Sequence, residues 1–474
     1  FKQAQAALTY ALDHLNPGDR FNVIAFSSGT RAFASGLRPA DEAPEAVRWL
    51  ESLSARGSTD IDRALLEAAG MMNGDGPEMV IFLTDGLPTE GVTDSMDILK
   101  DIKRSAPSDL RLFAFGVGYD VDTYLLDTLA QDHHGTTSYV VPGQSIDEIV
   151  SGFYDKVSQP VLMDIDLDFG KAGVFDVYPD PLPDIFAGGQ LVAVGRYRNP
   201  GGEVIELSGS VDGQQKHFAY DDQRFRSSGG PDFLPRLWAT RKIGTLLNQI
   251  RLEGPEQEIV DQIVKLSIRY GIITPYTSYL VTEPQLLGED AQNQIAHDAY
   301  KQFVATPTEV SGQAAVERAA AESALGGAEI PVAPPAASSD IVRLAGPNTF
   351  RLIDGVWTDT RFDPAKMVAR RVPFLSADYF ALAGASPELG QALALGPRVI
   401  VIVGETAYEI VGADEAGDSI QIPTAPAVEP DANSPEIDPP AAVPPAAPGT
   451  TGAVCPGFAI ALTLGTFPLW RRRR

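Results

Sequence analysis

Two short stretches of this sequence carry residue types that could hold a hard metal ion. Thr59 lies in Gly57-Ser58-Thr59-Asp60, just ahead of a helical pattern, and Asp85 lies in Leu83-Thr84-Asp85-Gly86, just after an apolar strand pattern. A hydroxyl and a carboxylate are hard oxygen ligands that suit Mg²⁺, with Mn²⁺ and Ca²⁺ as further candidates. Asp85 also admits a plainer reading, in which it opens the turn and Gly86 supplies the conformational freedom the turn needs. Two protein oxygens do not fill an octahedral shell, so a third contributor is required, and geometry places it on a strand just before the helical pattern Phe1–Leu15. Asp60 is expected to cap the next helix rather than to ligate. His133-His134, at the end of a helical pattern, could ligate a metal but reads as a surface pair at a helix C-terminus.

The elements that must position these residues alternate in type. Met79–Thr84 is apolar up to its last residue and reads as a strand buried on both faces, with helical patterns on either side. Across residues 1–157 the order is helix Phe1–Leu15, stopped by Asn16-Pro17-Gly18-Asp19, then strand Arg20–Phe26 and a short strand near 31–37. Helix Ala43–Ser54, helix Ile61–Met72, strand Met79–Thr84 and helix Ser95–Arg104 follow. Strand Leu110–Val117, helix Val121–Gln131, strand Thr137–Val141 and helix Ile146–Val157 complete the run. This alternation predicts an α/β fold, a doubly wound, mostly parallel sheet wrapped by helices. In such a sheet Thr59 and Asp85 both sit on the rim above the carboxyl ends of the strands, where ligands bind.

Past Gln159-Pro160 the period changes to two, with Leu162, Asp164, Asp166 and Asp168 alternating with Met163, Ile165, Leu167 and Phe169. Residues 158–282 are read as an antiparallel β part, half of a sandwich, followed by two amphipathic helices at Phe233–Arg251 and Pro255–Tyr270. Residues 283–340 read as a partly helical spacer ending in Pro331–Pro335. Residues 341–411 read as a small α+β unit with a turn at Asp354-Gly355, a helix near Ala377–Leu395 and a buried strand Val399–Val403. Residues 412–451 are Pro/Ala-rich and acidic with no base, the composition of an extended stalk. Residues 452–474 close the chain with Cys455, an apolar run Phe458–Trp470 and the cluster Arg471, Arg472, Arg473 and Arg474.

Composition removes several classes of function. Among 474 residues, 63 Asp and Glu outweigh 37 Lys and Arg, a formal net charge of −26, which opposes nucleic-acid binding. The single cysteine excludes an internal disulfide framework and Cys-based zinc sites. The five histidines have no HExxH spacing, and neither a GxxxxGK[ST] loop nor a GxSxG elbow occurs. No nucleophile–base pair is legible, so the chain is not read as an enzyme. It opens within a helical pattern, without Met or leader, and is read as a fragment of a longer protein.

Several stretches resemble a known family. Leu15-Asn16-Pro17-Gly18-Asp19-Arg20-Phe21, Gly57-Ser58-Thr59-Asp60-Ile61 and Leu83-Thr84-Asp85-Gly86 are similar to von Willebrand factor type A domains. Leu237-Trp238-Ala239-Thr240-Arg241-Lys242-Ile243-Gly244 and Tyr270-Gly271-Ile272-Ile273-Thr274-Pro275-Tyr276-Thr277-Ser278 extend the resemblance to the bacterial inter-α-trypsin-inhibitor heavy-chain type over Phe1–Thr282. The resemblance implies a metal-ion-dependent adhesion site whose second loop supplies Thr59 and whose third supplies Asp85. Its first loop, a DxSxS motif, is absent because the chain starts after it, so the resemblance assigns the Mg²⁺ to the intact protein. It also implies a β-sandwich (VIT) domain upstream, which would partner the strands of 161–225. The implied mechanism is recognition, in which a partner protein's carboxylate completes the metal shell that water otherwise fills.

The last 23 residues resemble the tripartite sorting signals of bacterial surface proteins. The apolar run is short for a ~20-residue span, but the arginines would remain on the cytoplasmic side of a membrane. On that resemblance Cys455 is a processing or lipid-attachment candidate; a thiol buried in the membrane is the alternative. The expectation is an exported, surface-anchored adhesion or scaffold protein. The alternatives are a non-catalytic regulatory or protease-inhibitor-like subunit, and a cytosolic type A subunit of a chelatase or AAA-type complex.

Overall fold

Strand Arg111–Val117 is apolar at most positions, and such a run is buried only if helices cover both of its faces. In a computed structural model, which describes residues 1–420 apart from 56, 73–76, 212, 228, 275–287, 306–308 and 331–340, both faces are covered. The strand lies at the centre of a three-stranded parallel sheet, between Met79–Thr84 and Thr137–Val140. Leu112 and Ala114 face one layer, packed with Ile61, Leu65, Ile98, Ile102, Leu125 and Leu129 of three helices. Phe113 and Phe115 face the other layer, with Ala7, Ile146, Val150 and Val157. The period of two in the strand meets the period of 3.6 in its covering helices, giving the expected α/β layering.

The segment expected as strand Arg20–Phe26 does not join this sheet. It is broken into Arg20–Phe21, paired antiparallel with Arg38–Pro39, and Ile24–Phe26, paired antiparallel with Thr30–Ala32. Asn22 explains the break: its side chain donates to the carbonyls of Ala34 and Gly36 and accepts from the amides of Val23 and Ala34, replacing ladder bonds there. Phe26 still stacks on Phe82 of the sheet, ring centroids 5.5 Å apart.

The antiparallel part has the sheet order Ile185–Phe186, Pro160–Asp168, Gly201–Val211, Gln214–Phe225, with Phe175–Tyr178 and Val194–Arg196 forming a separate pair. It is fastened below the parallel sheet. Arg111, at the strand start opposite the rim, donates to Asp184 at 2.9 Å and to Asp164 at 2.6 Å. Burial alone would lower the pKa of Arg111, but the two carboxylates more than offset that and raise it.

Helix Leu234–Glu253 is not the one-sided amphipathic helix the sequence suggests, because partners surround it. Its apolar residues join helix Gln257–Tyr270 in one core. Its four cations reach outward into other parts of the chain and find partners there. Arg236 donates to the carbonyls of Tyr270 and Gly271, and Arg241 to those of Tyr178, Val192 and Ala328. Lys242 meets Asp176 at 2.9 Å. Arg251 meets Asp127 at 2.5 Å and Glu322 at 2.8 Å.

Residues 283–340, expected as a spacer, contain two packed helices. Glu289–Ala305 lies on Gln257–Tyr270 through Ala296 and Ala299. Gln313–Gly326 lies on the long helix and sends Val316 into the core of the parallel sheet. Alanines allow close approach without a strong apolar stripe, so the composition resembles that of a linker. At the crossing, a Cβ on Gly244 would lie 2.2 Å from the amide nitrogen of Gly326, an approach only glycine permits.

Residues 342–411 form a six-stranded mixed sheet whose second hairpin turn, Asp354-Gly355, has positive φ at both positions, as a type I′ two-residue turn requires. The helix expected near Ala377–Leu395 is two helices, Ala377–Ala383 and Pro387–Leu393. Ser386 caps the second with its side chain and so ends any continuous run. The first residues expected as stalk fold back on this sheet: Glu415 pairs with Arg371, and Asp418 accepts from the Arg371 amide at 2.7 Å. No helix among the described residues is long and apolar enough to cross a membrane.

Candidate metal site

Asp85 is placed by the turn that ends strand Met79–Thr84. The buried Thr84 hydroxyl donates to the Gly86 carbonyl at 3.1 Å, and this bond turns the chain so that Asp85 is left exposed on the rim. Thr59 is placed by the helix start beside it. Asp60 caps helix Ile61–Ala69, its Oδ1 accepting from the Arg63 amide at 3.2 Å, as its position predicts.

The two loops are then joined through Thr59 itself. Its carbonyl accepts from the amides of Thr89 and Glu90 at 2.9 and 3.2 Å, and its amide donates to the Thr89 hydroxyl at 2.9 Å. Ser58 adds a bond to the Glu90 carboxylate at 2.9 Å. The Thr59 hydroxyl stands 3.3 Å from the point where a Cβ on Gly86 would lie, so it faces the residue next to Asp85. The hydroxyl and the acid, 26 positions apart in the sequence, therefore share one side of the sheet.

A third piece of chain adds oxygens that sequence reasoning did not single out. The Asp60 amide donates to the Ser27 carbonyl at 2.8 Å, bringing in the loop after strand Ile24–Phe26. A Cβ on Gly57 would lie 3.4 Å from the Ser28 hydroxyl and 3.6 Å from that of Ser27. The available signal was Ser27-Ser28 directly after an apolar strand, which puts two hydroxyls at a strand end. Glu90 was equally invisible, because its role depends on a loop-to-loop bond.

Charge at the rim favours a cation. Asp60, Asp62, Asp85 and Glu90 lie on these loops or in the first helical turn, with Arg63 as the base among them. Asp60 is committed elsewhere: it caps the helix, and a Cβ on Gly91 would lie 2.6 Å from its Oδ1. Asp62 is 8% exposed, and its Oδ1 has no hydrogen-bond partner among the described residues. Burial first, then Asp101 and Asp60, raise its pKa above the ordinary 3.8. Among the described residues, no three of His, Cys, Asp and Glu gather closely enough to hold a metal ion. Any cation here would have to use hydroxyl oxygens and water beside Asp85, a donor set that fits Mg²⁺ or Mn²⁺.

His133 is a correction to the expected surface pair. It is 6% exposed, and burial first of all lowers its pKa, favouring the neutral ring. The cause is the Leu112 amide, which donates to the His133 carbonyl at 2.9 Å and draws the helix end against the sheet. His134 remains exposed, at φ 50°. Cys455 and Arg471–Arg474 lie outside the described residues.

Comparison with known proteins concerns the parallel-sheet part first. Residues 2–139 match the family model described as von Willebrand factor type A domain. The chain is similar to inter-alpha-trypsin inhibitor heavy chain H4 of Bos taurus, 29% identical over 318 residues, which cover 62% of this chain and 34% of the bovine one. Heavy chain H2 of Sus scrofa is 27% identical over 310 residues, covering 59% of this chain and 32% of its own length. A solved structure, von Willebrand factor type A from Catenulispora acidiphila, aligns over 64% of this chain and 84% of its own with a TM-score of 0.42 and 15% identity. The chain spans about a third of the length of the curated relatives it matches. The type A match is to residues 2–139, and the similarity to the heavy chains extends well beyond them.

Proposed function

We propose that the chain is a non-catalytic binding protein whose type A domain receives a partner protein's carboxylate at a divalent cation. Thr59 and Asp85 supply two of the oxygens. A further protein oxygen, water and the partner's carboxylate supply the rest, and a Mg²⁺ left one ligand short gives the partner its anchoring point. The observation that carries this reading is the Thr59 hydroxyl packed against the Asp85-Gly86 turn, with Asp85 exposed and turned to solvent on an acidic rim. A carboxylate left exposed there, while Asp60 beside it is used in a cap, is available to an ion.

The location that suits this role is outside the cytoplasm, with the protein held at a surface through 452–474. The apolar run and the closing arginines of that segment support this reading. Deleting 452–474 should release the protein from the membrane fraction; retention there would remove the anchor.

The metal reading is tested by thermal melts of the intact protein, its first loop included, in Mg²⁺, in Mn²⁺ and in EDTA. A cation that binds only the folded state at 100 times its Kd adds about 2.7 kcal/mol, a rise of several degrees. Asp85→Ala should abolish that rise while melting with the parent in EDTA. Equal melts of the parent protein with and without the cations would overturn the site.

A further inference from the structure

In a chain so rich in acid, most of the well-placed arginines are already paired. Arg38, Arg104, Arg111, Arg251, Arg361 and Arg371 all hold carboxylates. Arg196 and Arg198 do not. Both are exposed, and neither makes an ion pair among the described residues. Aromatic rings hold them in place instead. The Arg196 guanidinium carbon lies 5.1 Å from the Phe175 ring centre and 5.3 Å from that of Trp238, and the Arg198 carbon lies 4.3 Å over Phe175.

The support beneath them is fixed. Strand Val194–Arg196 pairs with Phe175–Tyr178, and the Arg198 amide donates to the Ala172 carbonyl at 3.1 Å. Trp238 is 7% exposed, its ring nitrogen donating to the Asp176 carbonyl at 2.9 Å. The acid beside the pair, Asp176, is already held by Lys242. A guanidinium whose face rests on a ring has given up rotamer freedom in advance and keeps its in-plane N–H groups for a ligand.

We propose that Arg196 and Arg198 form a binding site for an extended acidic segment of a partner protein, with Asp or Glu at alternate positions. The strand ends at Arg196 and the chain bends at Arg198, and both guanidinium groups rest on the one Phe175 ring. They therefore stand side by side as two cations for carboxylates two apart on an extended peptide, about 6.6 Å. Each guanidinium can take one carboxylate through two parallel hydrogen bonds. A long polyanion is disfavoured over a short segment, because a net charge of −26 repels it in proportion to its own charge. This site shares no residue with the metal rim and stands or falls independently of it.

The test is fluorescence anisotropy of the full chain with a labelled octapeptide carrying Glu at alternate positions. The Arg196→Gln/Arg198→Gln double variant should bind at least about tenfold more weakly, and a Gln version of the peptide should fail to bind. Phe175→Leu, which keeps both charges but removes the shared ring, should weaken binding about threefold. Should the double Gln variant melt differently from the parent, Arg196→Lys/Arg198→Lys replaces it, with the same direction of effect expected. Unchanged affinity in the double variant, equal binding of the Gln peptide, or tighter binding of a sulfated oligosaccharide of equal charge would each overturn the assignment.

Discussion

The rim of the parallel sheet and the long helix Leu234–Glu253 treat charge in opposite ways. At the rim, Asp85 is exposed and the buried Asp62 Oδ1 has no hydrogen-bond partner among the described residues. On the helix, Arg236 and Arg241 are 7% and 3% exposed and the Arg251 side chain 5%, and each is matched to carbonyls or carboxylates of other parts of the chain. A buried charge is tolerable only when paired, whereas a site that must capture an ion or a partner needs charge left over. The helix thus holds parts of the chain together, while the rim leaves charge unmatched. In the first, removing a charge should be costly; in the second it should be nearly free or even stabilising.

The largest expected effect breaks the helix side of this contrast. Arg251→Met leaves Asp127 and Glu322 buried without their cation, and should cost about 3–5 kcal/mol in urea unfolding. Asp85→Ala in EDTA, by contrast, should stay within about 0.5 kcal/mol of the parent. Comparable losses from both would erase the distinction. Next comes Gly244→Ala at the crossing with Gly326. Alanine gains about 1 kcal/mol over glycine inside a helix, yet its Cβ meets backbone. A net loss of roughly 1–2 kcal/mol, with faster hydrogen exchange across 313–326, is expected.

A smaller effect than that at Gly244 has the opposite sign. Asp62 has its pKa raised above the unfolded 3.8, so the folded state favours the protonated form. Stability is therefore lost as pH rises from the unfolded value through the folded one, and the loss persists at neutral pH. Asp62→Asn should melt higher than the parent at pH 7, by about 0.5–1 kcal/mol, with the gap closing below about pH 4. A gap that widens on acidification would place a partner on that carboxylate.

What the sequence disclosed follows the range of the interactions involved. The rim loops were legible because a strand end, an Asp-Gly turn and an Asp cap are set by neighbours within a few residues. The apolar run of Arg111–Val117 was legible because burial on both faces removes alternation. The docking of Gln313–Gly326 was not, since alanines that pack by closeness look the same as alanines in a linker. Nor was the burial of His133, which depends on a bond from Leu112, 21 positions away. The all-round burial of helix Leu234–Glu253 was hidden because arginine reads as solvent-facing until its carbonyl partners are known. Ser27, Ser28 and Glu90 reach the rim through contacts of the same non-local kind.

The fork from Arg111 to Asp164 and Asp184 has a mechanical meaning. Strands Met79–Thr84 and Arg111–Val117 run side by side in register, with the rim at one end and this fork at the other. A tug on whatever grips Asp85 would load their ladder lengthwise, so that all its hydrogen bonds share the strain at once instead of opening one by one. The force would then leave through the guanidinium into the antiparallel part, making the fork a shear bolt between the rim and the rest of the chain.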